Sequence, residues 1–129
     1  MPLIKYWLGP HSKKELSISF DQDSANDFIR ALIKLKGNRQ PNSAPAIYKK
    51  AATEINSEIY MSLTDDEALE FIEIRDNRVH IEFSDESIEY AIFKISNFLK
   101  EGDFSPAEYY SFSAKKEKGN IQIYFIKAS

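Results

Sequence analysis

Residues 71–83 read Phe71-Ile72-Glu73-Ile74-Arg75-Asp76-Asn77-Arg78-Val79-His80-Ile81-Glu82-Phe83, and this stretch decides the architecture. Apolar and polar residues alternate on both sides of Asp76-Asn77, a pair suited to a two-residue hairpin loop. With that loop, Ile74 lies opposite Val79 and Ile72 opposite Ile81, so one face spanning both strands is apolar. The other face pairs Glu73 with His80 and Phe71 with Glu82. Directly after Phe83 the period changes. Ser84 is placed to cap a helix whose stripe is Ile88, Ala91, Ile92, Ile95, Phe98 and Leu99 and which stops at Gly102.

The same order of events precedes it. Leu3 to Leu8 reads as a strand, Gly9-Pro10 as a turn, and Leu16, Ile18 and Phe20 alternate with Ser17 and Ser19 as its hairpin partner. A second helix follows, with Ser24 and Asp27 read as its capping box, Ala25, Phe28, Ile29, Leu32 and Leu35 as its face and Gly37 as its end. Ile18-Ser19-Phe20 and Ile81-Glu82-Phe83 lie 63 residues apart, and at that offset the two helix faces share one phase. Coincidence of two amphipathic helices and a pseudo-symmetric ββα duplication both account for this.

Pro41 and Pro45 interrupt residues 38–56; Ala46 to Ile55 is expected as a short helix, with an irregular strand as the alternative. Ile59, Met61 and Leu63 then alternate as a strand that turns at Asp65-Asp66, the next strand starting near Ala68. Tyr109 to Ala114 and Ile121 to Ile126 form a closing hairpin around the polar loop Lys115 to Asn120. The expected fold is α+β: one domain over residues 1–129, a mostly antiparallel sheet of about seven strands, and two main amphipathic helices on one face.

A chain of 129 residues, 43% hydrophobic and 29% charged, can bury a core without staples. It has no cysteine, which excludes disulfides, thiolate metal sites and thiol nucleophiles. No run approaches the roughly 20 apolar residues of a membrane span, and the first apolar patch is too short for a signal-peptide core, so a cytoplasmic protein with no membrane partner is expected. The four glycines fall at turns or helix ends, not in a phosphate-cradling loop. His11 and His80 lack the companions of a zinc site. Asp65, Asp66, Glu67 and Glu70 match no calcium-loop spacing, and no cofactor is expected.

Charge is segregated along the chain. Residues 1–53 carry +5, residues 54–89 carry −10 and residues 90–129 carry +2, together the net −3. Asp85 and Glu86 in a helix's first turn offset its dipole, and Asp76 suits a tight turn, so part of this acidity has a structural purpose. The remainder either is a solvated face or steers a basic partner. Glu73 opposite His80 is the one pairing suited to acid–base work, but cross-strand ion pairing is the favoured reading because no obvious nucleophile or oxyanion donor is tied to it. Tyr6, Trp7, Tyr48, Tyr60, Tyr109, Tyr110 and Tyr124 are available for base stacking, and Lys13-Lys14, Lys49-Lys50 and Lys115-Lys116 for phosphate contact, yet the acidic middle makes nucleic acid an unfavoured partner.

Small size, absence of cysteine, a hairpin-rich sheet with two helices, no catalytic constellation and the acidic stretch from Glu54 to Glu89 together resemble the immunity proteins of bacterial toxin–immunity systems, including those of contact-dependent growth inhibition. The resemblance implies a non-enzymatic protein that neutralises a cognate toxin, often a basic nuclease, by covering it with carboxylates that stand in for phosphates. The partner-binding set is then Glu70, Glu73 and Glu82 with His80 on the outer hairpin face, Asp65 and Asp66 at the turn, Glu86 and Glu89 on the helix, and Phe71 and Tyr90 as aromatic anchors. A nucleic-acid-binding or other small binding module, and a small enzyme of unrecognised type, are the alternatives.

Overall fold

The computed structural model describes residues 4–9, 12–75 and 77–128. Eight strands and two helices follow one another as β1 (Ile4–Leu8), β2 (Glu15–Phe20), α1 (Gln22–Asn38), β3 (Asn42–Lys50), β4 (Thr53–Leu63), β5 (Phe71–Arg75), β6 (Arg78–Phe83), α2 (Asp85–Glu101), β7 (Glu108–Ser113) and β8 (Asn120–Lys127), with a 3-10 turn at Glu67–Leu69. The sheet has the order β5-β6-β4-β3-β1-β2-β8-β7. Its two ends approach each other through a parallel bridge between Ile72 and Ala114, where Lys115 N–H donates to the Ile72 carbonyl at 3.0 Å, so the sheet nearly closes into a barrel.

The expected α+β class stands, with eight strands in place of seven and a mixed sheet in place of a mostly antiparallel one. The four hairpins β1/β2, β3/β4, β5/β6 and β7/β8 are antiparallel, but they join side by side through parallel pairs β1/β3, β4/β6 and β2/β8. Hairpins are set by local alternation and turn residues. Their lateral order is set by the helix crossovers and leaves no local mark.

Within β5/β6 the expected register is the observed one, Ile72 opposite Ile81 and Ile74 opposite Val79; Asp76 lies outside the described residues, as do Pro10 and His11. Three local expectations are corrected. Residues 42–50 form β3, not a helix: Ala44, Ala46 and Tyr48 are buried in alternation with exposed Ser43 and Pro45. Pro45 interrupts the local strand signal, yet its backbone continues β3 opposite Glu58 of β4. The segment after Asp66 makes a 3-10 turn, and its strand starts at Phe71 rather than near Ala68. Finally, α1 begins one turn earlier than expected and runs through Gly37. Asp21 is its N-cap with Ser24 at the third position, and Arg39, at φ 59°, is its left-handed cap.

The buried face of the curled sheet holds Tyr6, Ile18, Phe125, Ile59, Val79 and Ile81, and it wraps the apolar stripes of the two helices in one continuous core. The helices lie antiparallel: Lys36 and Arg39 at the end of α1 reach Glu89 and Asp85 at the start of α2, while Gln22 Nε2 reaches the Phe98 carbonyl at 3.5 Å.

Both halves of the chain have the order strand, strand, helix, strand, strand, and their registers correspond. Ile59 pairs with Val79 across β4/β6, and Ile123 pairs with Leu16 across β8/β2. Tyr6 pairs with Tyr48 across β1/β3, and at a common offset of 66 residues Ile72 bridges Ala114 across the seam. Helix α2 lies 63 residues beyond α1 from cap to cap: Asp21 and Ser84 open them with matching capping boxes, and Arg39 and Gly102 close them in the left-handed region, each N–H bonded to the carbonyl of Leu35 or Phe98. The observed unit is therefore ββαββ rather than ββα.

Ser84 supports two elements, since its Oγ accepts from Ser87 N–H and donates to Glu70 Oε2 at 2.5 Å. Ser84→Ala is expected to cost about 2 kcal/mol, the upper end for an N-cap, read as a lower urea midpoint with unchanged slope.

Candidate functional site

The sequence-derived candidates separate into two places. On the outer face of β4, β5 and β6, Phe71, Glu73, His80 and Glu82 converge. His80 stands edge-on between the rings of Tyr60 and Phe71, at centroid distances of 4.7 and 4.8 Å. Its Nε2 is 2.7 Å from Ser62 Oγ, which also hydrogen-bonds Glu82. Burial holds the imidazole below its ordinary pKa, against the opposing charge of Glu82. In a nucleophile relay the carboxylate orients the imidazole; here Glu82 bonds the hydroxyl of its cross-strand partner Ser62 instead, and Ser62 is buried.

Two carboxylates of this face are already matched by cations, and Glu82 takes the Ser62 hydroxyl. Glu73 receives Arg75 at 3.0 Å and Lys116 at 3.2 Å, and although burial pushes its carboxyl up, those two cations hold it below the usual range. Glu58 pairs with Arg78 at 3.4 Å. The aromatic faces are covered too, with the Arg78 guanidinium 4.4 Å from the Tyr60 centroid and Lys115 Nζ 4.4 Å from that of Phe71. Phe71 is thus half-buried under a lysine and not a free anchor. A shallow cleft of about 690 Å³ beside it is lined by Asn56, Glu58, Arg75, Asn77, Arg78 and His80.

The second place is where the 3-10 turn, the start of α2 and β7 meet. Glu70 is turned inward to accept from Ser84 N–H at 3.1 Å and from its Oγ. A hydrogen bond with Glu86, and then the negative charge of Glu86, Glu70 and Asp66, raise the Glu67 carboxyl above its ordinary pKa. The Tyr110 hydroxyl is raised in turn, by burial and then by Glu70, Glu86 and Glu67. Among the described residues no lysine, arginine or histidine pairs with Glu67, Glu70 or Glu86. Glu86, Glu89, Tyr90 and Tyr110 line a groove of about 500 Å³, and the Tyr90 ring stacks between those of Phe93 and Tyr109.

The remaining candidates flank this groove. Arg39 bridges Asp65 at 2.7 Å and Asp85 at 3.1 Å, and Lys36 holds Glu89 at 2.7 Å, so these three carboxylates are partly spent joining α1 to α2. Asp66 caps the 3-10 turn through Ala68 N–H. No three acidic or histidine side chains among the described residues are placed to hold a metal ion. Sequence reasoning passed over Glu67, Tyr110 and Phe93 as members of this surface. Phe93 had a signal, since it falls off the apolar stripe of α2; the approach of Tyr110 to Glu67 and Glu70 depends on the parallel seam and had none.

No known protein family, curated protein or solved structure matches the chain. No helix among the described residues is long and apolar enough to cross a membrane.

Proposed function

We propose that this protein is an immunity-type inhibitor that binds a basic partner, a bacterial toxin of nuclease type, through the surface formed by the 3-10 turn, the start of α2 and β7. The observation that carries this reading is the convergence of Glu67, Glu70 and Glu86, with no cation paired to them among the described residues, on Tyr110, which shares a groove with Tyr90. Crowded carboxylates raise one another's pKa, and an incoming lysine or arginine relieves that repulsion, so the same charge that is unfavourable in the free protein favours association. Tyr90 supplies a large, low-entropy contact at the centre of the charged rim, as binding hot spots require. The chain acts here by occupancy and not by catalysis. Nucleic acid is a less suitable partner for the outer sheet face, because Arg78 and Lys115 already cover the rings on which bases would stack.

The test is recovery of the tagged protein from its native cells at moderate salt, followed by assay of the captured species. The expected result is a stoichiometric basic protein whose growth inhibition the chain relieves. The E67Q/E70Q/E86Q variant, which removes the charges and keeps one acceptor oxygen on each side chain, is expected to bind it at least ~100-fold more weakly, given the coupling that close interfacial charge pairs reach. Undiminished affinity in that variant, or a captured species that is nucleic acid, overturns the reading.

A further inference from the structure

The correspondence between the two halves provides an internal control for the surface of α2. At the 63-residue offset, Tyr90 and Phe93 occupy the places of Asp27 and Arg30 on α1. On α1 those places hold an exposed i,i+3 ion pair, with Arg30 Nη1 3.7 Å from Asp27 Oδ1. On α2 they hold two aromatic rings, 39% and 58% exposed, stacked at 6.3 Å and 15°. Tyr90 leans on the core ring of Tyr109 and on Lys94, but Phe93 stands further out, and α1 shows that the fold is built equally well with a charged residue at its place; its exposure costs solubility.

Beside the two rings lies a groove of about 540 Å³ between α2 and the segment leading to β7, lined on its far side by Phe104 and Pro106. Lys94, at the place of Ala31, is buried in its floor; its Nζ donates to the carbonyls of Pro106 and Glu108, which holds the far wall against the helix. Its charge is thereby turned inward. Glu86 and Glu89 stand at one end of this aromatic strip, and Glu101 and Asp103 at the other.

We infer that the α2 face seats a segment of a partner protein that carries one large apolar side chain between basic residues on both sides, the apolar group entering the groove at Phe93 and Phe104 and the cations meeting the two acidic ends. This deepens the proposed function by naming what the partner presents, and rests on it only in taking that partner to be basic.

The probe is a synthetic 12-residue peptide with two lysines at each end and a central tryptophan, titrated by fluorescence anisotropy and by amide chemical shifts. Saturable binding is expected, with the largest shifts at Phe93, Asn97 and Phe104. Placing the α1 residue on α2, as F93R, is expected to weaken binding more than 10-fold while leaving the thermal midpoint near that of the parent, because Phe93 is 58% exposed and the equivalent helix already carries arginine there. Replacing the central tryptophan with alanine has the same expected effect. The inference is overturned if the parent does not bind the peptide, if F93R binds it equally well, or if sedimentation shows that the parent self-associates through this face and the variant does not. If E67Q/E70Q/E86Q loses the native partner while F93R retains it, the inference fails and the proposed function stands.

Discussion

Phe125→Ala is expected to lower the stability of the protein by about 3–5 kcal/mol, the cost of removing a large aromatic side chain from a packed core. Phe125 is 2% exposed and is enclosed by three rings: Tyr109 stacked at 4.4 Å, Phe20 edge-on at 5.5 Å and Phe104 at 5.7 Å. These come from β7, β2 and the segment after α2, so the void cannot be filled by the shift of one element. Against the roughly 5–15 kcal/mol typical of a domain, such a loss leaves little reserve. The thermal midpoint should fall by on the order of 10 °C, and a urea titration should show a lower midpoint. Ile126, half-buried on the opposite face of the same strand, is expected to cost far less as alanine. Equal losses at the two positions would show that β8 is not anchored by its inner face.

The second large effect is alkaline. Tyr109 is buried in the core with its hydroxyl donating to the Ser87 carbonyl at 2.5 Å, and burial, aided by the charge of Glu70, pushes its pKa well above the ordinary 10. The folded state thus keeps a proton that the unfolded chain releases. The stability tied to that proton is fully present below pH 10, the unfolded value, and is lost as pH rises toward the folded one, at about 1.4 kcal/mol per pH unit. Tyr6 and Tyr110, also raised chiefly by burial, act in the same direction. Tyr109→Phe should cost about 1 kcal/mol at pH 7 for the lost hydrogen bond and yet move the alkaline unfolding midpoint upward. Circular dichroism across pH 8–12 distinguishes the two proteins, and coincident alkaline midpoints would refute this account of the site.

The contrast between β5/β6 and β3 shows which parts of the fold were legible. In 71–83 strong β formers alternate with charges across a short turn, so the register followed from the residues alone, down to Glu73 opposite His80. In 42–50 the buried positions are Ala44, Ala46 and Tyr48, two of them too small to mark a face, and Pro45 suggests a break where the chain runs on opposite Glu58. The candidate site divides similarly. Glu86, Glu89 and Tyr90 share a helix, and they line one groove. Glu73 and Glu82 look equally acidic as letters, but Lys116 arrives on Glu73 from the β7/β8 loop and Ser62 reaches Glu82 from β4, partners that only the order of the hairpins brings near.

That order also bears on how the chain comes off the ribosome. Strand β2 is made early, but its outer neighbour is β8, more than a hundred residues later in the chain. The whole span between them must be synthesised before Leu16 to Phe20 acquire their second set of backbone partners. Until then a nascent chain displays an apolar strand edge, the feature most readily paired by another molecule, and contacts of such long separation form slowly. The protein is therefore expected to depend on chaperone shielding during translation, and messages truncated before residue 120 should yield products that aggregate or are degraded rather than a working N-terminal half.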